Sequence, residues 1–182
     1  MRNKQNKVIA VHLYNDYSGS PRILAQWLQH AQKQGQHIEL HSSDTEGILD
    51  EVFGIERKGF RYRPGTHKLG TLWSFLRTNW RLFNRIRKAP AGSLVYVNTL
   101  LPFGAILGAK VAGLPLVCHV HEVSVRPRLL KSFLLRIARR QAKSLICVSK
   151  FVKESLGLEE EKAVVVPNAL SPHFQKKIKA GS

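Results

Sequence analysis

A doubly wound α/β fold, with a mostly parallel, Rossmann-like sheet, is the architecture this chain should adopt. Two observations point there. Short apolar runs rich in Val, Ile and Leu alternate with longer segments of helical period. The apolar runs are also continuous rather than alternating, as strands buried on both faces require. Strand–helix alternation implies crossover units and a parallel sheet covered on both sides.

The elements follow in order. VIAVHL, Val8 to Leu13, is the first strand, and YNDYSGS is the loop after it. A helix follows: Ser20 is placed to cap it, Pro21 suits its first position, and Gly35 ends it. Ile23, Leu24, Trp27, Leu28 and Ala31 share one face of that helix. His37 to His41 is a shorter strand, Asp44 to Phe53 a loop with a short helix, and Lys58 to Tyr62 a third strand. A long helix covers Leu69 to Lys88, with Leu72, Phe75, Leu76, Phe83 and Ile86 on its apolar side and Trp73 and Trp80 at the border. Then come a strand (Leu94 to Val97), a helix (Phe103 to Ala112) and a strand (Pro115 to Val120). A basic amphipathic helix (Pro127 to Ala142), a strand (Ser144 to Val148), a helix (Lys150 to Leu156) and a last strand (Ala163 to Val166) complete the pattern. Residues 1–174 read as one domain, and 175–182 as a tail or the start of a linker.

Charge is the unusual bulk property: 29 Lys and Arg against 12 Asp and Glu leave a formal +17. Such a field attracts polyanions, whether nucleic acid, anionic lipid or phosphorylated small molecules. Cys118 and Cys147 each lie inside an apolar run, as reduced core residues of a cytosolic protein do. The run Val8 to Leu13 is too short for a signal-peptide core. The stretch Leu100 to Val120 is broken by Pro102, Lys110 and Pro115, so it reads as helix plus strand rather than a membrane span.

In open parallel sheets, ligands bind outside the carboxyl ends of the strands. Three polar clusters fall there: YNDYSGS, HEVS after the fifth strand, and Ser149–Lys150 after the sixth. In SGSPR, Gly19 lets a backbone approach a ligand, and helix-start amides can hold a phosphate or sugar hydroxyl. The same residues also suit a plain capped turn, and GxGxxG is missing, which argues against a dinucleotide site. In HVHE, His119 and His121 share one strand face. Residues two apart on a strand lie about 6–7 Å from each other, and no third ligand stands out, so no metal site is assigned. His119, flanked by valines, suits the core. His121, at the strand end, is placed either to accept a substrate hydroxyl as a neutral imidazole or to be an ordinary polar strand terminus. Arg57, Lys58, Arg61, Arg63 and Lys68 form one basic set; Arg77, Arg81 and Arg85 form a stripe on the long helix; a third set crowds the helix after Pro127. Basic side chains paired with Trp, Phe and Leu fit an interfacial membrane contact. No nucleic-acid module is recognisable, which favours a membrane surface over nucleic acid.

Four motifs in order resemble the N-terminal domain of GT-B glycosyltransferases of family 4. SGSPRILAQWL resembles the family's Gly-Gly loop, with Ser18 and Gly19 on the glycines and Arg22 on the Arg. VYVNTLLPFGAILGAKVAGLPLVCHVHEVS, which includes Asn98, resembles the segment leading to a His-Asp or His-Glu pair, here His121 and Glu122. ICVSKFVKESL carries Ser149 and Lys150. VVVPNALSPHF resembles a Pro-Asn-Gly run with a later Phe, placing Pro167, Asn168 and Phe174, although Ala169 replaces the glycine.

The resemblance implies retaining transfer of a sugar from a nucleotide-sugar to a lipid-linked or glycan acceptor. The expected catalytic residues are His121 and Glu122. Substrate contacts are Ser18, Gly19, Ser20, Arg22, Asn98, Ser149, Lys150 and Asn168. Acceptor or membrane contacts are Arg61, Arg63, Arg77, Arg81 and Arg85. The nucleotide-sugar enters as a substrate, with no cofactor and no metal. The family's second Rossmann domain carries a Glu-x7-Glu pair, and no two glutamates here stand eight apart. The chain is therefore expected to work with that C-terminal domain and to be inactive alone. A face left bare would favour dimerisation. The expected location is the cytoplasm, peripheral on the inner face of the membrane. The competing class is a non-catalytic module that docks a partner chain or an anionic surface.

Overall fold

The structure is a computed structural model that describes residues 7–63, 65–121, 125–158 and 161–168. Among these, seven strands form one parallel sheet: β1 (Val8–Val11), β2 (Ile38–His41), β3 (Glu56–Arg57), β4 (Leu94–Asn98), β5 (Leu116–Val120), β6 (Ser144–Cys147) and β7 (Ala163–Val165). Their order is β3-β2-β1-β4-β5-β6-β7. Five helices connect them: α1 (Gly19–Lys33), α2 (Lys68–Ile86), α3 (Phe103–Val111), α4 (Arg128–Gln141) and α5 (Lys150–Ser155). The chain turns from one side of β1 to the other between β3 and β4. The crevice at that reversal is where such sheets bind ligands.

Side-chain alternation divides the core. Ile9, Val11, Val95, Val97, Leu116, Cys118 and Val120 point to one face, with Leu82, Ile106 and Leu134 of α2, α3 and α4. Val8, Ala10, Ile38, Leu40 and Tyr96 point to the other, with Leu24 and Leu28 of α1. Each fully buried aliphatic side chain contributes about 1.5–3 kcal/mol, so this double-sided burial holds β1 and β4 rigid. Cys118 and Cys147 are free and buried, and burial pushes the Cys118 thiol up to about 12.

α2 and α3 touch backbone to backbone. A Cβ on Gly104 would lie 1.9 Å from the Asn79 carbonyl oxygen, and one on Gly108 would lie 2.9 Å from that of Phe83. Asn79 Oδ1 accepts from the Gly104 amide at 2.8 Å, giving α3 its N-terminal cap from a neighbouring helix.

Two expectations shift. The third strand is the two-residue Glu56–Arg57, and only an isolated bridge from Phe60 to Ser43 lies within Lys58 to Tyr62. Phe60 and Tyr62 turn into the core while Lys58, Gly59 and Arg61 stay exposed at the sheet edge, so the segment joins the sheet through that bridge. Second, α1 starts at Gly19 rather than after Ser20, with Ser18 in the N-cap position and no side-chain cap bond. Pro21 therefore sits third in the helix, still within the first turn, where a missing N–H costs nothing. Gly35 ends α1 at φ 75, as its freedom from a Cβ allows.

Candidate active site at the carboxyl edge of the sheet

Three strand ends meet at the crevice. His12 follows β1, Asn98 closes β4, and His121 follows β5. The Asn98 amide is the hub. Its Nδ2 donates to the Ser20 carbonyl of α1 at 3.0 Å, which turns Oδ1 toward His121. His121 Nε2 donates to that Oδ1 at 2.9 Å. The His121 proton is thereby held on Nε2, and Nδ1 keeps its lone pair. His12 Nδ1 donates to the Asn98 carbonyl at 2.9 Å, so its 3.2 Å approach to Asn98 Nδ2 is a contact between two donors rather than a second bond.

The backbone enforces this placement. Thr99 has φ 81, a left-handed conformation that β-branched residues avoid. Its N–H donates to the His119 carbonyl at 2.8 Å, which locks the strained turn beside Asn98. The β1 loop is braced from the other side: Asn15 donates to Thr45 O at 2.8 Å and Asp50 Oδ2 at 3.0 Å, and accepts from Leu49 N at 3.0 Å. Asp16 Oδ1 then takes the Ser18 N–H at 2.9 Å.

His119 and His121 lie on one face with ring centroids 4.2 Å apart. His119 is buried, and its Nδ1 meets the Tyr96 hydroxyl at 2.7 Å. Tyr96 in turn stacks on Trp27 of α1 at 4.1 Å. Burial lowers His119 to about 4. Burial, then the neighbouring His119 and His12, lowers His121 to about 3. Burial lowers His12 as well. His121 is thus a neutral acceptor at physiological pH and a very weak base. An imidazole held this way can receive a hydroxyl hydrogen bond.

The remaining sequence-predicted residues are placed as follows. Ser18 and Gly19 are exposed at the start of α1, and a Cβ on Gly19 would meet nothing within 4 Å. Packing therefore does not demand glycine there. Arg22 is exposed on the next half-turn. Ser149 caps α5, accepting from Val152 N at 3.1 Å, and Lys150 is exposed beside it. Asn168 is exposed after β7. These last three stand at neighbouring strand ends without joining the Asn98 network. Glu122 and Phe174 lie outside the described residues. Arg61 and Arg63 line a recess with Asp44 and Glu46. Arg77 and Arg81 are exposed on α2, whereas Arg85 donates to Gly59 O at 3.1 Å and ties α2 to the loop after β3. Among the described residues, no three His, Cys, Asp or Glu side chains group to hold a metal. His12 and Asn15 were absent from the expected site. His12 sits inside the apolar run Val8 to Leu13 and nothing in the sequence marks it, whereas Asn15 belongs to the polar loop that follows the run.

Residues 17–174 match the family model of Glycosyltransferase Family 4. The solved structures most like this one include Anabaena HepE in complex with UDP and glucose, at 18% identity and TM-score 0.61, covering 97% of this chain and 50% of that one. A glycosyltransferase from Rickettsia africae aligns at 16% identity and TM-score 0.64, over 98% of this chain and 50% of its own. A UDP-N-acetylglucosamine 2-epimerase aligns at 14% identity and TM-score 0.59, over 91% and 49%. No curated protein matches in sequence. Transferases and an epimerase share this half-fold, so the fold does not separate them, whereas the family match does. The chain belongs to Glycosyltransferase Family 4 and has the architecture of the N-terminal half of a GT-B enzyme. It spans about half the length of the solved chains it matches.

The histidine pKa shifts carry a sign. An unfolded histidine titrates near about 6.5, while the native site keeps His119 and His121 neutral down to about 4 and about 3. The unfolded state therefore binds more protons in this window, and stability falls as pH falls. The lowered carboxylates Glu39 and Asp50 add to the loss only at lower pH. The urea midpoint should drop steadily from pH 7 to pH 5, with a shallower slope in His121→Gln. A flat midpoint over that range would contradict the burial.

Proposed function

We propose that this domain is the acceptor-side half of a retaining glycosyltransferase that uses a nucleotide-sugar donor. The observation that carries the reading is the Ser20–Asn98–His121 chain of hydrogen bonds, which presents His121 Nδ1 as a fixed acceptor at the crevice. That lone pair receives a hydroxyl of the sugar in transfer. The bond from the anomeric carbon to the donor phosphate breaks, a bond to the acceptor oxygen forms, and the acceptor proton departs with the nucleoside diphosphate. The free amides at the start of the 15-residue helix α1 face the growing phosphate charge. Gly19 keeps that approach open, with Lys150 as a further cation after β6, three strands along the sheet from β1. Glu122, next to His121 in sequence, is assigned a supporting role. The retaining course rests on family membership, as does the need for a second Rossmann domain to hold the nucleotide.

The domain also docks on an anionic membrane surface. Trp73 and Trp80 of α2 are 69% and 65% exposed, and Leu129 of α4 is 83% exposed. Between residues 57 and 153 the sequence has 20 Lys and Arg and a single acidic residue, Glu122. Exposed aromatics amid basic side chains anchor proteins at the interface, with about 1 kcal/mol per Lys or Arg near an anionic leaflet. No helix among the described residues is long and apolar enough to cross a membrane. The active form is a cytoplasmic, peripheral protein, and its apolar face also offers a homodimer contact.

In a form carrying both Rossmann domains, Gly19→Val and His121→Ala should each lower UDP release from UDP-hexoses by roughly 100-fold while leaving thermal unfolding within a few degrees. The 182-residue chain alone should release none. Turnover by the chain alone, or loss of stability in step with activity, would refute the reading. Liposome flotation tests the docking face: the chain should float with anionic vesicles at low salt and not with neutral ones, and Trp73→Ser with Trp80→Ser should weaken this. Equal partition to both vesicle types would remove the membrane assignment.

A further inference from the structure

A second cavity adjoins the crevice, built by the same three loops. Leu13 and Tyr14 follow His12 directly, Leu101 stands three residues after Asn98, and Arg126 five after His121. The cavity measures about 700 Å3, within the size range of small-molecule sites. Phe75, Leu101 and Leu130 supply its apolar walls. Tyr14 and Tyr62 close one side, edge to face at 5.0 Å with hydroxyls 3.2 Å apart. Lys68 and Arg126 stand in its lining, and no Asp or Glu does among the described residues. The recess holding Arg61 and Arg63 differs, because Asp44 and Glu46 share it. An anionic acceptor is therefore better served by Lys68 and Arg126 than by the arginines the sequence pointed to.

The cavity opens toward the exposed apolar face. Leu72, one of its lining residues, is 51% exposed, and Leu69 and Leu129, next to Lys68 and Leu130 in sequence, are 79% and 83% exposed. A hydrocarbon chain leaving a bilayer would meet these leucines first. The cavity behind them offers apolar walls for the chain and two cations for a charged head.

We infer that this cavity is the acceptor subsite and that it takes an anionic amphiphile, an alkyl or isoprenoid chain bearing a phosphate, with the chain against Phe75, Leu101 and Leu130 and the phosphate at Lys68 and Arg126. The inference rests on the sugar-transfer reading for its meaning as an acceptor site, but amphiphile binding is measurable without donor or transfer. Specificity for the chain comes from burial, at roughly 4-fold in affinity per methylene. Specificity for the head comes from the paired cations.

Calorimetric titration of the 182-residue chain with octyl phosphate, below its micelle concentration, tests this. Saturable binding is expected, with hexyl phosphate weaker by about 15-fold and no binding of inorganic phosphate. Octanol should bind more weakly than octyl phosphate. Leu130→Asp should abolish binding, and the exposed Arg126→Glu, which leaves the core untouched, should weaken it about 10-fold. Phe53→Ala, 80% exposed and next to Gly54, which meets Gln32 of α1, should leave it unchanged. Inorganic phosphate binding as tightly as octyl phosphate, no binding of octyl phosphate, an unchanged Arg126→Glu variant, or loss of binding in Phe53→Ala would each overturn the proposal. Binding as expected in the chain, with no sugar transfer by a form carrying both Rossmann domains, would sink the transferase reading and leave the amphiphile site standing.

Discussion

The Asn98 side chain is the constraint on which the crevice depends. One amide spans two elements: its nitrogen is held by the Ser20 carbonyl of α1, and its oxygen takes the proton of His121. A residue with only an acceptor or only a donor would leave one neighbour unpaired in a buried place, at about 1–3 kcal/mol. Asn98 also sets the His121 tautomer, and with it the lone pair presented to a ligand. The parallel sheet makes this possible. β4 lies between β1 and β5, so the three strand ends stand side by side, and the strained Thr99 turn keeps Asn98 from drifting with its loop.

The two faces of the sheet do different work. The α1 face holds the Trp27–Tyr96–His119 stack, which removes water from one side of His121 and keeps it neutral. The α2–α4 face carries exposed apolar side chains, among them Trp73, Trp80 and Leu129. Gly104 and Gly108 draw α2 and α3 together, and Trp73 and Trp80 line the groove beside that contact with Arg77. The arginines of α2 give that surface its sign.

Much of this fold was legible because buried parallel strands announce themselves. Each continuous apolar run became a strand within a residue or two, and Gly35 and Gly113 stopped their helices at φ 75 and φ 64. The failures have physical reasons. β3 is an edge strand with exposed residues and no apolar run to betray it. The α1 cap moved because Asp16 and the Ser18 N–H form the turn before it, an interaction that residue preferences at the helix start do not encode. At the site, His121 stood out by position, whereas the hub role of Asn98 requires β1, β4 and β5 to be adjacent. His12 looked like part of an apolar strand. Asp44 and Glu46 share a recess with Arg61 and Arg63, a grouping that charge density along the sequence does not show. Strand-end polar residues carry the readable signal, and their pairing does not appear until the strand order is known.

His121 is a neutral imidazole protonated on Nε2, which donates to Asn98. Nitrogen-15 NMR of the labelled imidazole ring, followed from pH 8 to pH 4, reads this directly. A protonated Nε2, an unprotonated Nδ1 and no titration across that range are expected, in keeping with a pKa of about 3. A midpoint near the ordinary histidine value of about 6.5, or a proton on Nδ1, would contradict it.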